Sequence, residues 1–372
     1  MKRLICVVLV LILLMPVNVS ALADSAKAAI IINADTLEVI YSHNQETKLP
    51  MASTTKIMTA LLLCEHGDFE REITVTAEML RVEGSSMGLL AGDKVTLHDL
   101  LYGLLLASGN DAANVVAFTL GKTINGFVKM MNQRAKELGL ENTNFVTPSG
   151  LDAEGHYTTA YDLARLAATA IKNEAFAAAA ASKTATLNYG NPPYRRTLTN
   201  HNKLLNSFDG AIGVKTGFTK KSGRCLVSAA KRDGKTVIAV TLNDPNDWQS
   251  HKQMLEYGFS VLKENIFGVD ESYIVPVISG TSDILKVNIE PFSVYSLDDK
   301  GYEVEINLPD FVYAPIKKNQ KIGSVIYKKN GQIIGKADIC AKTDIKVKTA
   351  KLSFFDSIKK NILYIFRGMW EK

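Results

Sequence analysis

Residues 210–241 read GAIGVKTGFTKKSGRCLVSAAKRDGKTVIAVT. Three segments rich in β-formers, 214–219, 224–230 and 236–241, are punctuated by turn residues, and Asp233-Gly234 between the last two is a strong signal for a two-residue hairpin. Upstream, 28–44 reads as another hairpin, with strands 28–32 and 37–41 about a turn at Asn33-Ala34-Asp35. Between these β regions, residues 53–66 turn helical. The next ~110 residues are mostly α by their 3.6-residue periodicity, with segments at 97–107, 111–120, 124–138 and 159–171. A further helix, 248–262, closes the region. The expected class is therefore α/β of the α+β kind: an antiparallel sheet supplied by the two ends of the region, with a helical insertion between them. After about residue 265 short strands take over, and Asn330-Gly331 joins 324–329 to 332–340. This predicts a separate small all-β domain over 270–350.

The ends of the chain have a different character. Lys2 and Arg3 precede an apolar run from Leu4 to Met15 and small residues ending in Ala21-Leu22-Ala23. That pattern is a secretory signal peptide over 1–23, too short for a membrane span. The chain has 43 basic and 38 acidic residues; setting aside Lys2 and Arg3, and then the five basic and two acidic residues of 351–372, leaves 36 of each. A neutral body disfavours nucleic-acid binding, which needs a basic patch on the fold. In 351–372, Phe355, Ile358, Ile362, Phe366 and Met369 recur at three- and four-residue spacing among Lys359, Lys360 and Arg367. An amphipathic helix lying on an anionic membrane surface is expected there, rather than a span. Past the signal, Cys64, Cys225 and Cys340 are odd in number and sit in apolar stretches, which predicts buried free thiols without metal-ligand spacing.

Three short motifs carry chemistry. Ser53-Thr54-Thr55-Lys56 opens the first helix, where residues three apart share a face and a desolvated lysine can serve as base to a serine nucleophile. The same spacing occurs at Ser228/Lys231, Ser260/Lys263 and Ser357/Lys360. The first of these lies in a strand pattern, where residues three apart face opposite ways; the others read as helical but lack the further motifs in order. Ser108-Gly109-Asn110 interrupts an apolar sequence, and in isolation reads as an ordinary helix cap. Lys215-Thr216-Gly217 lies in a strand, with Gly217 opening space for another backbone or a ligand.

Taken together and in this order, serine-x-x-lysine, serine-x-asparagine and lysine-threonine-glycine are the signature of penicillin-binding proteins and class A β-lactamases. The chain resembles the low-molecular-mass penicillin-binding proteins, specifically the serine D-Ala-D-Ala carboxypeptidases. The resemblance extends to Leu49-Pro50-Met51-Ala52, Asp111-Ala112, Gly150-Leu151-Asp152, His156-Tyr157-Thr158-Thr159-Ala160 and Gly213-Val214. It implies a β-lactamase/transpeptidase-like catalytic domain over 24–265, a β-sandwich-like second domain, a C-terminal membrane helix over 351–372 and no metal or cofactor. It implies Ser53 as nucleophile, Lys56 as base, Ser108 as proton shuttle, Asn110 on the substrate's peptide carbonyl, and Lys215 and Thr216 on its terminal carboxylate. The backbone N–H groups of Ser53 and Phe218, with Gly217 beside them, would form the oxyanion hole. The implied partners are a peptidoglycan stem peptide ending in D-Ala-D-Ala and β-lactam antibiotics, at the outer face of the cytoplasmic membrane.

The chain departs from that family pattern in two places. Many relatives carry a carboxylate-binding arginine in the helix after the third strand, whereas Pro245-Asn246-Asp247-Trp248-Gln249-Ser250-His251 offers none. Ser149 stands where some relatives have histidine. The loop holding Asp152 and His156 is a place where the deacylating water could be positioned, although a lone loop histidine is more commonly surface. The nearest rival, a serine β-lactamase, would use a glutamate in an E-x-x-L-N pattern for deacylation, which is absent between Leu151 and Lys172. A catalytically silent peptidoglycan-binding protein is the rival from another class.

Overall fold

A computed structural model describes residues 22–267, 273–289, 291–329, 331–349 and 358–359. All but the last two residues of the expected signal peptide, and nearly all of the expected tail helix, lie outside these residues. Contacts divide the chain into one unit up to Glu264 with Tyr295–Asp298, and a second of Asn265–Val294 with the residues from Asp299 onward.

In the first unit the elements follow the order β1 (Ala28–Asn33), β2 (Val39–His43), a 3₁₀ turn (Ala52–Thr55), α1 (Lys56–His66), β3 (Glu72–Thr74), β4 (Lys94–Thr96), α2 (Leu97–Leu105), α3 (Asn110–Gly121), α4 (Ile124–Glu137), α5 (Ala160–Ala170), α6 (Glu174–Ala181), β5 (Thr184–Gly190), β6 (Pro193–Thr199), α7 (Leu204–Ser207), β7 (Ala211–Thr219), β8 (Gly223–Arg232), β9 (Lys235–Leu242) and α8 (Asp247–Val261). The main sheet is antiparallel throughout, in the order β2-β1-β9-β8-β7. The N-terminal hairpin therefore docks on the last strand of the 210–241 meander, and β7 is left at the edge.

All six residues of β1 are buried, which requires cover on both faces of the sheet. Ala28, Ile30 and Ile32 face the cluster that holds Ile57, Leu61, Leu104 and Leu163. Ala29 and Ile31 face Met254, Leu255 and Phe259 of α8. Each fully buried isoleucine contributes about 1.5–3 kcal/mol, so this one strand fixes the order of the layers. Helix starts are written locally: Thr96 and Asp99 form a reciprocal capping box on α2, and Thr159 caps α5.

The short helices α6 and α7 and two strand pairs were not expected. β3 pairs with β4, and β5 with β6 as a hairpin. The hairpin's outward positions are mostly polar and exposed, so its apolar alternation is too thin to register. Tyr189 and Arg196 secure it, with the guanidinium 4.3 Å from the Tyr189 ring and 4.0 Å from that of Tyr194. The first helix also differs from expectation, because Ser53 lies in the 3₁₀ turn and α1 starts only at Lys56. Lys263 belongs to a strand beyond α8, not to the helix of Ser260.

From the end of the first unit onward come β10 (Lys263–Phe267), β11 (Ile274–Ile278), β12 (Ile284–Ile289), β13 (Phe292–Ser296), β14 (Tyr302–Asn307), β15 (Val312–Tyr313), β16 (Lys321–Lys329) and β17 (Gln332–Ala341), all in the second unit except the first two residues of β10 and the last two of β13. A six-stranded sheet in the order β14-β16-β17-β12-β11-β15 encloses a core of its own, including Val275, Leu285, Val325 and Ile339. The class is thus mixed α/β with a C-terminal all-β part. No helix among the described residues is long and apolar enough to cross a membrane. Cys64, Cys225 and Cys340 are free; Cys64 and Cys225 are buried, whereas Cys340 is only half-buried, because it alternates along β17 with Ile339 and Ala341, which face the core.

Candidate active site

The 3₁₀ turn that carries Ser53 is enclosed by two glycines. A Cβ on Gly217 of β7 would stand 3.0 Å from the Ser53 amide nitrogen and 3.1 Å from that of Thr54. One on Gly150 would fall 1.9 Å from the Ala52 carbonyl oxygen. Gly217 therefore leaves room that a side chain would crowd, whereas Gly150 is required by close backbone approach and, at φ +89°, by conformation as well. Ala52 and Ser108 hold left-handed backbone at φ +48° and +56° without being glycine. Such strain collects where the surrounding structure over-determines a site.

In a 3₁₀ turn residues i and i+3 eclipse, so Lys56 stands over Ser53. Its Nζ is 3.0 Å from Ser53 Oγ and also donates to Asn110 Oδ1 at 2.7 Å and to the Ser149 carbonyl at 2.6 Å. Lys56 is completely buried. Burial first, and then the nearby charge of Lys215, hold its pKa well below the ordinary lysine value, against a smaller opposing pull from Asp111. Lys215, equally inaccessible, donates to Ser108 Oγ at 3.0 Å and to the Thr216 carbonyl at 2.8 Å, and burial lowers its pKa to about 7.

The isolated reading of the Ser108 triplet as a cap does not hold. The cap of α3 is Gly109, with no side-chain hydrogen bond. Ser108 turns instead to Lys215, and Asn110 bridges Lys56 to the Glu83 carbonyl through an Nδ2 bond of 2.6 Å. One of the two Asn110 amide hydrogens is thus engaged, leaving a single donor for a ligand.

Several residues that matter here were given no role from the sequence. Asp111 accepts from Ser86 Oγ and from the amides of Met87, Gly88 and Leu89, so one carboxylate shapes the loop beside the site. Arg196 reaches the Gly88 carbonyl from the unforeseen hairpin, and Tyr189 donates to the Met87 carbonyl at 2.7 Å. Ser149 contributes its backbone carbonyl rather than its side chain. The signal for Asp111 was its place in the stretch that carries the resemblance, one residue beyond Asn110.

His156 is not on the surface. It is buried, its Nδ1 accepts from the Val146 amide at 2.9 Å, and its Nε2 meets Thr55 Oγ1 at 2.8 Å. Nδ1 as acceptor makes Nε2 the N–H donor, while Thr55 Oγ1 donates onward to the Ala52 carbonyl at 2.8 Å. This chain braces the turn behind Ser53. Asp152 is exposed and ties the same loop to β7 through Thr219 Oγ1 at 3.0 Å.

Burial lowers the His156 pKa to about 4. An unfolded histidine protonates near 6.5, so the stability this residue contributes is complete above pH 6.5 and is lost as pH falls toward 4. A gap of about 2.5 pH units, at about 1.4 kcal/mol per unit, is roughly 3 kcal/mol. His156→Ala should flatten that part of the stability profile in urea unfolding between pH 4.5 and 7. It should also cost about 2–4 kcal/mol at neutral pH by stranding two buried partners. An unchanged pH slope would remove His156 from this role.

The decoy serines are committed elsewhere. Ser228 bonds His251, which also meets Thr241 Oγ1 at 3.0 Å within the core, and Ser260 donates to the Tyr257 carbonyl at 2.7 Å. Ser357 lies outside the described residues. A cavity of about 330 Å³ opens in front of Ser53, lined also by Ser85, Ser108, Thr216, Gly217 and Phe218, and on its far side by Lys203, Arg224, Asp247 and Trp248. Phe218 is exposed on its rim.

Residues 15–246 match the D-alanyl-D-alanine carboxypeptidase family, and residues 263–347 match the C-terminal domain of penicillin-binding protein 5. The D-alanyl-D-alanine carboxypeptidase DacF of Bacillus subtilis is 33% identical, with 100% of both chains covered. Among solved structures, the DD-transpeptidase of Streptomyces K15 aligns with a TM-score of 0.61 at 34% identity, covering 63% of this chain and 97% of its own. The D-alanyl-D-alanine carboxypeptidase DacD of Francisella tularensis aligns at 0.62 and 26% identity, covering 87% and 94%. A family match over most of the first unit and a relative matched along its whole length place the chain in the D-alanyl-D-alanine carboxypeptidase family of low-molecular-mass penicillin-binding proteins.

Proposed function

We propose that this chain removes the terminal D-alanine from peptidoglycan stem peptides ending in D-Ala-D-Ala, by way of an acyl group on Ser53. The observation that carries the reading is the buried Lys56 amine at 3.0 Å from Ser53 Oγ. A neutral amine keeps two N–H donors, which Asn110 Oδ1 and the Ser149 carbonyl take up, so its lone pair is left facing the serine hydroxyl. Ser53 Oγ attacks the peptide carbonyl carbon while its proton passes to Lys56. The amides of Ser53 and Phe218 hold the oxyanion, and the remaining Asn110 donor holds the neighbouring peptide carbonyl. As the C–N bond breaks, Ser108, poised against Lys215, delivers its proton to the departing D-alanine amine and is reprotonated by the proton that Lys56 took from Ser53, which leaves Lys56 neutral again. Water then attacks the acyl carbon with Lys56 again as base, which releases the shortened stem and restores Ser53.

The test is D-alanine release from a pentapeptide ending in D-Ala-D-Ala, run beside turnover of benzylpenicillin. D-alanine release together with a lasting penicillin adduct supports the reading. Rapid penicilloate release without D-alanine would favour a β-lactamase, and absence of both activities a silent peptidoglycan-binding protein.

We also read 1–23 as a signal peptide, 24–265 as the catalytic domain, 270–350 as a β-domain and 351–372 as a peripheral anchor on the outer face of the cytoplasmic membrane. The charge balance supports the last assignment, since the basic excess beyond the signal lies in that segment. Ending the chain at Ala350 should abolish sedimentation with anionic liposomes while activity on small peptides stays within about twofold. Serine at Phe355, Ile358, Ile362 and Phe366 should do the same without loss of charge. A truncated chain that pellets as well as the full one would refute the anchor.

A further inference from the structure

Helix α8 brings no arginine of its own to the cavity, but its first residues hold one from the neighbouring strand. Arg224 of β8 donates through Nη2 to Asp247 Oδ1 at 2.9 Å, and its guanidinium lies 5.6 Å from the Trp248 ring. We propose that Arg224, with Thr216, binds the free terminal carboxylate of the substrate. The proposal rests on the carboxypeptidase reading above and names the specificity determinant of that same site.

Register supplies the first argument. Phe218 of β7 pairs with Arg224, and Thr216 pairs with Leu226. Paired residues share a face of the sheet, and residues two apart along a strand lie on that same face, so Thr216 and Arg224 are diagonal neighbours. Diagonal neighbours lie roughly 7–8 Å apart, with their Cβ atoms somewhat closer. That gap admits a carboxylate between a hydroxyl and a guanidinium. Both residues line the cavity in front of Ser53.

Charge and rigidity supply the second argument. Lys203 and Arg224 line the cavity against the single carboxylate of Asp247, and Lys215 stands behind Thr216, so an anion is favoured. A guanidinium has five N–H donors in a planar fork suited to carboxylates, and the Asp247 bond takes one. Asp247 is nearly inaccessible whereas the Arg224 side chain is 40% exposed. The aspartate and the indole thus anchor one side of the fork while the side chain remains reachable. The alternative role is a structural tie between β8 and the start of α8, which would not depend on whether the substrate carries a terminal carboxylate.

The experiment uses the full chain with Arg224→Gln and Arg224→Lys, assayed on one acylated peptide ending in D-Ala-D-Ala as the free acid and as the C-terminal amide. For the glutamine variant, kcat/KM on the acid should fall about 30–100-fold, mainly through KM, and by at least 10-fold more than on the amide. The lysine variant should fall in between, since it keeps the charge but not the fork. Equal losses on acid and amide, or no loss on the acid, would overturn the assignment. If the wild type releases neither D-alanine from the acid nor D-alaninamide from the amide, the carboxypeptidase reading fails instead. In that case the rates at which Ser53 is acylated by benzylpenicillin and by its methyl ester still decide, because an acid-to-ester preference unaffected by Arg224→Gln would overturn the role.

Discussion

Replacing Ser53 by alanine should abolish covalent penicillin labelling and lower D-alanine release by at least about 10⁴-fold, with little change in thermal stability. The side chain is only half-buried, and the hydrogen bond lost is one of three made by Lys56, which keeps Asn110 and Ser149 as acceptors. The other serines at the same spacing offer no replacement. Ser228 is sequestered against His251, and Ser260 is bonded to its own helix. The measurement is a labelled-penicillin gel combined with mass spectrometric mapping of the adduct. An adduct on Ser228, Ser260 or Ser357 would displace Ser53 as nucleophile.

The two lysines should respond differently to the same substitution. Lys56→Arg should stop acylation, with a loss of about 10³-fold or more, because an arginine stays protonated and cannot accept the serine proton. Lys215→Arg keeps the positive charge and should retain partial activity. The pH profile separates them further. With Lys56 held well below its ordinary pKa, acylation should rise as that amine loses its proton. With Lys215 at about 7, its cation disappears as pH rises through neutrality, so binding of the anionic substrate should weaken on the alkaline side. An arginine at 215 does not titrate there, and the alkaline decline in kcat/KM should vanish in that variant. If the Lys56→Arg enzyme is acylated as fast as the Lys215→Arg enzyme, the base is misassigned.

Much of the fold was legible because its signals are local. Strand alternation and the Asp233-Gly234 turn identify β7 to β9, and 3.6-residue periodicity identifies the long helices. Both depend on which face of a short segment must leave water. The hairpin β5–β6 escaped because it buries few side chains, mainly Leu187, Tyr189 and Leu198. Its stability comes from Arg196 stacked between two tyrosines, a pairing that has no sequence period.

The order and type of the three motifs were written in the sequence, since a nucleophile, a base and a cation must be those residue types whatever surrounds them. What surrounds them was settled only by tertiary structure. Asn110, Ser149 and His156 reach the Ser53 turn across 54, 93 and 101 residues of chain, distances over which no periodicity carries information. Ser108 shows the limit most clearly. Its local sequence reads as a helix cap, and its actual partner is Lys215, 107 residues further along the chain. The lowered pKa of Lys56 and the placing of Arg224 beside Thr216 have the same origin. Each is a property of groups brought together and taken out of water, and so arises only when sheet, helices and loops close on one another.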